Sequence, residues 1–238
     1  MKFELTLKQK AANNLLSSDA THIMLYGGAR SGKTFTLLRA MITRALGAPK
    51  SRHAVLRYRF NHVKASVVYD TLPKVMGLCF PGVAELSKLD KTDWFYRLPN
   101  GSEIWFGGLD EKERAEKILG QEYSTLFLNE CSQIPWASRN IAVTRLAQKI
   151  TTEAGNELRL KCYYDCNPPG SAHWTYRLFT EKRDPDRKTH VPNPENYAAI
   201  LINPKDNEAN LPTTTLTELQ NLPEAQRRRF WLGQFADM

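Results

Sequence analysis

The chain has 238 residues, 42% of them hydrophobic, which is enough to bury a sizeable core without a framework of disulfides. Its 33 basic and 25 acidic residues leave a net charge of +8, a balance that favours a polyanionic partner such as DNA. The sequence shows no leading apolar segment of signal-peptide type and no apolar run of bilayer length, so we expect a soluble protein without a membrane partner.

A glutamine near the N-terminus is the first candidate for a binding residue. Gln9 lies at the start of a short helical pattern, and a glutamine amide can pair with both the donor and the acceptor edge of adenine. We therefore predict that Gln9 reads the adenine of a bound nucleotide. Taken alone this signal is weak, because a single glutamine in a polar terminus usually has no such role.

The most informative motif is the octapeptide Gly-Gly-Ala-Arg-Ser-Gly-Lys-Thr at residues 27–34, which has the spacing of a phosphate-binding loop. An apolar run at 22–26 precedes it and a helical pattern at 33–46 follows, which is the context that this motif requires. Glycines let backbone N–H groups approach a polyphosphate closely, and the new helix adds its positive dipole end. The predicted nucleotide-binding residues are Gly27, Gly28, Ala29, Arg30, Ser31, Gly32, Lys33 and Thr34.

Three side chains of this loop have separate predicted roles. Lys33 reaches the β- and γ-phosphates as a point charge, and the Thr34 hydroxyl holds Mg²⁺. Arg30 stands inside the loop, where a guanidinium can stabilise the charge that develops at the γ-phosphate. The simpler alternatives are a glycine turn followed by a coincidental Lys-Thr pair, and a solvated arginine on an exposed loop.

Strand and helix signals alternate along the next stretch. Residues 53–58 are predicted to form a strand and residues 61–76 a helix with an apolar stripe. Two further strand signals, at 93–98 and 102–106, flank a Pro-Asn-Gly sequence at 99–101. This turn chemistry predicts an antiparallel hairpin.

A second apolar strand, at 124–128, ends in two polar residues that complete the predicted site. Glu130 is the predicted general base, since a carboxylate at a strand's carboxyl end can orient and deprotonate the attacking water. Most enzymes with such a loop carry an aspartate where Asn129 stands. Asn129 can bind Mg²⁺ through its water shell but contributes no negative charge, so we expect a weaker metal site. An ordinary turn after a strand is the alternative interpretation.

A third strand signal, at 158–164, runs into the polar loop Asp165-Cys166-Asn167-Pro168-Pro169-Gly170. If this strand lies beside the other two, Asn167 projects toward the γ-phosphate and can sense its presence. A rigid turn with no such role explains the Asn-Pro-Pro-Gly sequence equally well. The rest of the chain carries helix signals at 111–119, 136–150, 214–221 and 224–232 and a strand signal at 197–202. This alternation predicts an α/β core with a largely parallel sheet covered by helices on both faces.

Taken together, these features resemble the ATPase domain of the large terminase subunit of tailed phages, the motor that packages DNA into procapsids. Four features carry the resemblance: the Gln9 segment, Arg30 within the loop at 27–34, the acidic strand at 126–130, and residues 165–170 followed by His173-Trp174. The phosphate loop is common to many ATPases, whereas the arginine in it together with Asn-Pro-Pro before His-Trp is typical of terminases. The similarity extends to about Gly233, because residues 227–233 look like the segment that leads into the family's second domain.

The resemblance implies a P-loop NTPase fold of the ASCE type, with a mostly parallel central sheet flanked by helices and an antiparallel hairpin insertion. It implies hydrolysis of ATP with Mg²⁺ to drive double-stranded DNA into the procapsid in the host cytoplasm, with the terminase small subunit and the portal protein as partners. The ATPase domain is expected at residues 1–210 and a short helical linker at 211–238. The linker would lead toward a nuclease domain that is absent here, so we expect no DNA cleavage by this chain.

The working motor is expected to be a homo-oligomeric ring, while the isolated chain can be a monomer. In such rings an arginine from a neighbouring subunit can complete the site, and Arg114 is the candidate. A surface salt bridge is the alternative role for Arg114.

Three other functions are compatible with parts of the sequence. A helicase-like or other DNA-translocating ATPase would share the phosphate loop and Glu130, but its further arginine-rich motifs are not found in the sequence. A nucleotide-binding scaffold with little hydrolysis would be favoured by Asn129. A purely structural DNA-binding protein would need neither residue.

Overall fold

A computed structural model describes residues 4–237, which form an α/β fold around one eight-stranded sheet. The strand order is β3-β4-β5-β2-β6-β7-β1-β8. Within the described residues the strands are β1 (His22–Tyr26), β2 (Arg52–Arg57), β3 (Lys88–Asp90), β4 (Phe95–Arg97), β5 (Glu103–Gly108), β6 (Thr125–Leu128), β7 (Lys161–Cys166) and β8 (Tyr197–Leu201). The predicted fold class, a mostly parallel sheet with an antiparallel hairpin, is confirmed.

Helices connect and cover these strands. The α-helices of residues 4–237 are α1 (Leu7–Leu16), α2 (Lys33–Gly47), α3 (Phe60–Val63), α4 (Leu72–Cys79), α5 (Pro81–Ala84), α6 (Lys112–Ile118), α7 (Trp136–Val143), α8 (Trp174–Phe179), α9 (Thr213–Gln220) and α10 (Glu224–Phe230). A π-helical stretch, Lys64–Thr71, joins α3 to α4, so the single helix predicted at 61–76 has three parts. None of the helices in this part of the chain combines the length and the hydropathy needed to cross a membrane.

The central strands are apolar because both of their faces are covered. All four residues of β6 and the first four of β1 are buried, as are the four central residues of β2. Strand β2 pairs in parallel with β5 and with β6, and β1 pairs in parallel with β8. Burial on both faces explains why these strands appear in the sequence as continuous apolar runs without alternation.

The hairpin predicted around residues 99–101 is present. Strands β4 and β5 pair antiparallel, with Phe95 opposite Trp105 and the two rings stacked. Gly101 has a φ of 81°, the left-handed conformation that such a turn needs. A third strand, β3, pairs antiparallel with β4. It was not predicted, because three residues with two charges give no strand signal.

Two predicted boundaries differ from the structure. The helix predicted at 136–150 ends at Val143, because the N–H groups of Ala147 and Gln148 both donate to the carbonyl of Tyr123 instead of continuing the helix. The strand predicted from 158 begins at Lys161. Leu158 N–H instead donates to the Ile150 carbonyl.

The described chain divides into two compact units. The first contains Leu37–Asn129 and Gln133–Tyr163, and therefore the hairpin and strands β2 to β6. The second contains residues 4–36, Glu130–Ser132 and residues 164–237, and therefore the loop at 27–34, β1, β8 and helices α8 to α10. The predicted boundary between residues 210 and 211 is of another kind, a division by function, and stays a prediction.

A buried histidine ties β2 to β6 inside the first unit. His53 has no exposed surface, and its ring nitrogens are hydrogen-bonded to Thr125 Oγ1 and Ser51 Oγ, each at 2.7 Å. Burial, assisted by the charge of Arg44, lowers the pKa of His53 to about 3. The folded protein therefore keeps this ring neutral in weak acid.

We expect the stability of the fold to decrease as the pH falls from 7 to 5. An unfolded histidine titrates near 6.5, so between pH 6.5 and about 3 the unfolded chain binds a proton that the folded chain does not. The loss from this one residue is about 2 kcal/mol at pH 5. Urea unfolding at both pH values measures it, with His53→Gln as the non-titrating control. The same pH dependence in both proteins would contradict the assignment.

Candidate functional site

The glycine-rich loop lies between β1 and α2, as the sequence predicted. Gly27 and Gly32 have φ values of 148° and 84°, and Arg30 has a φ of 54°, so the backbone turns back on itself within six residues. The N–H of Gly27 donates to the carbonyl of Cys166 at 3.3 Å, which fixes the start of the loop at the end of β7. The loop therefore has a defined shape without any bound ligand.

The ammonium group of Lys33 lies inside this loop. Its Nζ donates to the carbonyl of Gly28 at 2.6 Å, to that of Gly27 at 3.3 Å and to Ser31 Oγ at 3.0 Å. Lys33 is 8% exposed, and burial lowers its pKa, although nearby acidic groups, Asp165 first among them, oppose the shift. A buried cation surrounded by backbone carbonyls forms a preorganised site for an anion.

Asn167 is brought to the same place. Its Oδ1 accepts a hydrogen bond from Lys33 Nζ at 3.3 Å, across 134 residues of sequence. The sequence predicted that the residue after this strand would project toward the γ-phosphate, and the loop lysine was predicted to reach the same phosphate. The structure brings these two side chains together.

Asp165, near the end of β7, contacts two predicted site residues. Its Oδ2 accepts a hydrogen bond from Thr34 Oγ1 at 2.7 Å, and its Oδ1 accepts one from the N–H of Glu130 at 2.8 Å. Burial, with the nearby Glu130 as the second cause, raises the pKa of Asp165 to about 6. No role was predicted for Asp165 itself from the sequence. A carboxylate in an otherwise apolar strand, two residues before Asn167, was the available signal.

Glu130 has an unusual backbone. Its φ is 50°, in the left-handed region that residues with a side chain avoid, and its side chain is half-buried. Such a conformation costs about 1–3 kcal/mol and persists where the surroundings impose it. Here the imposed contact is the hydrogen bond from Glu130 N–H to Asp165. The predicted base thus stands at the end of β6, as expected, in a strained conformation typical of functional sites.

Asn129, the predicted water-mediated metal ligand, belongs to the first unit. It is 2% exposed, its N–H donates to the carbonyl of Leu56, and its Oδ1 accepts from Arg57 Nη1 at 3.4 Å. In residues 4–237, no three or more His, Cys, Asp or Glu side chains are grouped so that they could hold a metal ion. The oxygens of Thr34 and Asp165 in the second unit do suit Mg²⁺, which commonly takes only one or two protein ligands beside substrate phosphates.

Gln9 lies against the loop but is already engaged. It is buried, its Nε2 stands 3.2 Å from the point that a Cβ on Gly32 would occupy, and its Oε1 accepts from Thr6 N–H at 2.9 Å. With Thr6 Oγ1 accepting from Gln9 N–H, this pair forms a capping box at the start of α1. Pairing with both edges of adenine, as predicted, requires the oxygen to leave this cap.

The two candidate arginines are exposed. Arg30 has an exposed side chain, and its carbonyl accepts from Asn207 Nδ2 at 3.0 Å. Arg114, in the first unit, donates to Glu111 Oε2 at 2.9 Å and holds its guanidinium 4.1 Å from the centre of the Phe60 ring. The surface salt bridge considered for Arg114 is therefore present.

The C-terminal segment holds the loop by two hydrogen bonds that were not predicted from the sequence. Gly28 N–H donates to Asn203 Oδ1 at 2.9 Å, and Ala29 N–H donates to the carbonyl of Phe230 at 2.8 Å. A side chain at position 28 would overlap the same Phe230 carbonyl. The absence of a Cβ at Gly28 is thus required by the approach of the chain's own backbone, in addition to any approach of phosphate.

Substitution of Gly28 by alanine is expected to destabilise the protein by about 2 kcal/mol or more, because the new methyl group overlaps the Phe230 carbonyl and must displace it. Gly77→Ala in α4 is the matched control, since nothing lies within 4 Å of its added methyl. The control is expected to be neutral or stabilising by up to about 1 kcal/mol. Urea unfolding measures both, and equal stabilities would contradict the packing described here.

Comparisons with known proteins agree with this geometry. A family model described as phage terminase large subunit matches residues 19–232. The PBSX phage terminase large subunit of Bacillus subtilis (strain 168) is 27% identical over 175 residues, which cover 73% of this chain and 36% of that protein. This chain therefore spans about a third of the length of its curated relative.

Solved structures share the fold. The large terminase from a thermophilic bacteriophage superposes with a TM-score of 0.77 at 16% identity, covering 98% of this chain and 54% of that chain. The large terminase ATPase domain of Thermus phage P74-26 superposes with a TM-score of 0.63 at 14% identity, covering 98% and 95% of the two chains. At these identities the likeness establishes the fold alone. The family model, which covers most of the chain, establishes membership: this protein belongs to the phage terminase large subunit family.

Proposed function

We propose that this chain is the ATPase domain of a phage DNA-packaging motor, which hydrolyses ATP to drive double-stranded DNA into the procapsid. One observation carries the proposal: hydrogen bonds of 2.7–3.3 Å join Lys33 to Asn167, and Thr34 and Glu130 to Asp165, beside the loop at 27–34. The related large terminase of the thermophilic bacteriophage has been solved in complex with ADP and in complex with ATP-gamma-S, which supports ATP as the nucleotide here.

Binding begins with an exchange of partners at Lys33. Its ammonium now donates to the carbonyls of Gly27 and Gly28, and a β- or γ-phosphate oxygen is a stronger, charged acceptor for the same donor. The N-terminal end of α2 adds unpaired N–H groups and its dipole at the same place. When bound, Mg²⁺ would neutralise the charge shared by the β- and γ-phosphates, with the Thr34 hydroxyl as its protein ligand.

Glu130 carries the chemical step in this proposal. Its carboxylate orients a water molecule and accepts one of its protons, while the water oxygen forms a bond to the γ-phosphorus and the bond to the ADP oxygen breaks. Arg30 stabilises the charge that develops on the γ-phosphate, and Gln9 contacts the adenine. Asn167 reports the γ-phosphate through its hydrogen bond with Lys33.

The assembled motor extends beyond this chain. We infer a ring of subunits in the host cytoplasm that contacts DNA, the small subunit and the portal protein, with Arg114 as the arginine offered to a neighbouring site. For that role the Arg114 guanidinium must leave Glu111, which is a small cost because both side chains are exposed. The net charge of +8 favours attraction to DNA.

A nucleotide-binding scaffold with little hydrolysis is the second candidate, and Asn129 favours it because no carboxylate stands at that position. Phosphate release separates the two candidates. The motor domain is expected to release phosphate from ATP over many turnovers with Mg²⁺ and to stop when EDTA is added. If nucleotide binds but release does not exceed the blank without protein, the scaffold assignment is correct and the ATPase assignment is wrong.

A further inference from the structure

Asp165 bridges the candidate metal-binding hydroxyl and the candidate base, with one carboxylate oxygen on each. Thr34 Oγ1 donates to Oδ2 at 2.7 Å, and Glu130 N–H donates to Oδ1 at 2.8 Å. The residue is 2% exposed, so bulk water does not compete for these bonds. Hydrogen bonds to a buried carboxylate are among the stronger ones in proteins.

The hydrogen bond to Asp165 decides which way the Thr34 hydroxyl faces. A hydroxyl has one proton and two lone pairs, and only a lone pair can bind a cation. Because the proton of Thr34 is given to Asp165, the lone pairs remain for Mg²⁺. A donor in place of the carboxylate oxygen would reverse this polarity and turn the proton toward the cation.

The second bond acts on the backbone of Glu130. At a φ of 50° this residue is strained, and its N–H is held by Asp165 Oδ1. Loss of that acceptor would free the backbone to return to an ordinary conformation and would move the carboxylate at the same time. One buried side chain therefore orients both residues.

We propose that Asp165 is a positioning residue for ATP hydrolysis, which orients Thr34 for Mg²⁺ and holds Glu130 in place, and so supplies the carboxylate that is missing at position 129. This inference rests on the proposed function. The negative charge usually contributed by an aspartate after the β6 strand comes here from β7. Asn129 itself is engaged elsewhere, with Arg57 and Leu56.

The variant Asp165→Asn tests the inference selectively. An asparagine retains one oxygen for Glu130 N–H but presents an NH₂ group to Thr34, so it reverses the hydroxyl while the side-chain volume stays the same. Titration calorimetry with ADP is performed in Mg²⁺ and in EDTA. We expect the gain in ADP affinity that Mg²⁺ gives the wild type to fall by about 10- to 100-fold, with the affinity in EDTA unchanged.

Two further variants separate positioning from a general structural effect. Asp184→Asn removes the same charge from a turn where the carboxylate accepts the N–H groups of Asp186 and Arg187, and it should leave the Mg²⁺ gain intact. In a Thr34→Val background, Asp165→Asn should cause no additional loss of the gain, because the hydroxyl that it orients is gone. Thermal unfolding checks that every variant is folded.

The outcomes are distinct. If the wild type binds no ADP in Mg²⁺, the proposed function fails. If the wild type shows the Mg²⁺ gain and Asp165→Asn keeps it, or loses affinity equally in EDTA, only the role of Asp165 is refuted. If Asp165→Asn does not fold, Asp165→Glu takes its place. Its longer side chain cannot make both bonds, so it should also lose the gain, and a retained gain would overturn the inference.

Discussion

Replacing Glu130 by glutamine is expected to lower the rate of ATP hydrolysis by at least about 100-fold, with little change in ATP affinity. The amide has the size of the carboxylate but cannot accept a proton from water. The backbone bond to Asp165 remains, because it is made by the N–H of residue 130 and not by its side chain. Steady-state phosphate release measures the rate, and titration calorimetry measures the affinity.

The matched control for this change is Glu218→Gln. Glu218 is exposed in α9, and its substitution removes the same charge from the surface of the second unit. The control should hydrolyse ATP at the wild-type rate. If Glu130→Gln also retained that rate, the general base would have to be another residue, and the buried Asp165 would be the next candidate.

The second large effect is expected at Lys33. Lys33→Met keeps the length of the side chain but removes the ammonium, and we expect ATP affinity to fall by about 10- to 100-fold through the loss of one or two charged hydrogen bonds. The fold should tolerate the change, because burial already lowers the pKa of Lys33 and an uncharged side chain avoids that desolvation cost. Titration calorimetry and urea unfolding check the two statements.

Lys74→Met is the control for the charge change, because Lys74 is exposed and pairs at the surface with Asp70. Its ATP affinity should equal that of the wild type. An unchanged affinity in Lys33→Met would remove the ammonium from the proposed binding site. Complete unfolding of Lys33→Met would show instead that its bonds to the loop carbonyls are required for the fold.

Features with a local cause were predictable from the sequence. The loop at 27–34 was recognised from glycine spacing between a strand and a helix, the hairpin from Pro99 to Gly101, and strands β1 and β6 from their apolar runs. Each of these depends on residues within about ten positions of one another, so pattern and propensity are sufficient. The three-part helix between Phe60 and Cys79 lacks such a signal, and it was predicted as one regular helix.

The contacts that build the site could not be predicted in the same way. Thr34 meets Asp165 across 131 residues, and Gly28 meets Asn203 across 175. Such pairs follow from strand order and from the return of the C-terminal segment, which no local pattern encodes. Gln9 shows the opposite failure: its capping box with Thr6 is local, but the capping role was overlooked in favour of adenine.

The most direct test of the central claim is a crystal structure of this chain with Mg²⁺ and a non-hydrolysable ATP analogue. We expect Lys33 Nζ to have left the carbonyls of Gly27 and Gly28 and to contact the γ-phosphate at about 3 Å, with the Glu130 carboxylate facing the same phosphate through one water. An analogue bound away from the loop at 27–34, or bound there with Glu130 turned away from the γ-phosphate, would contradict the account.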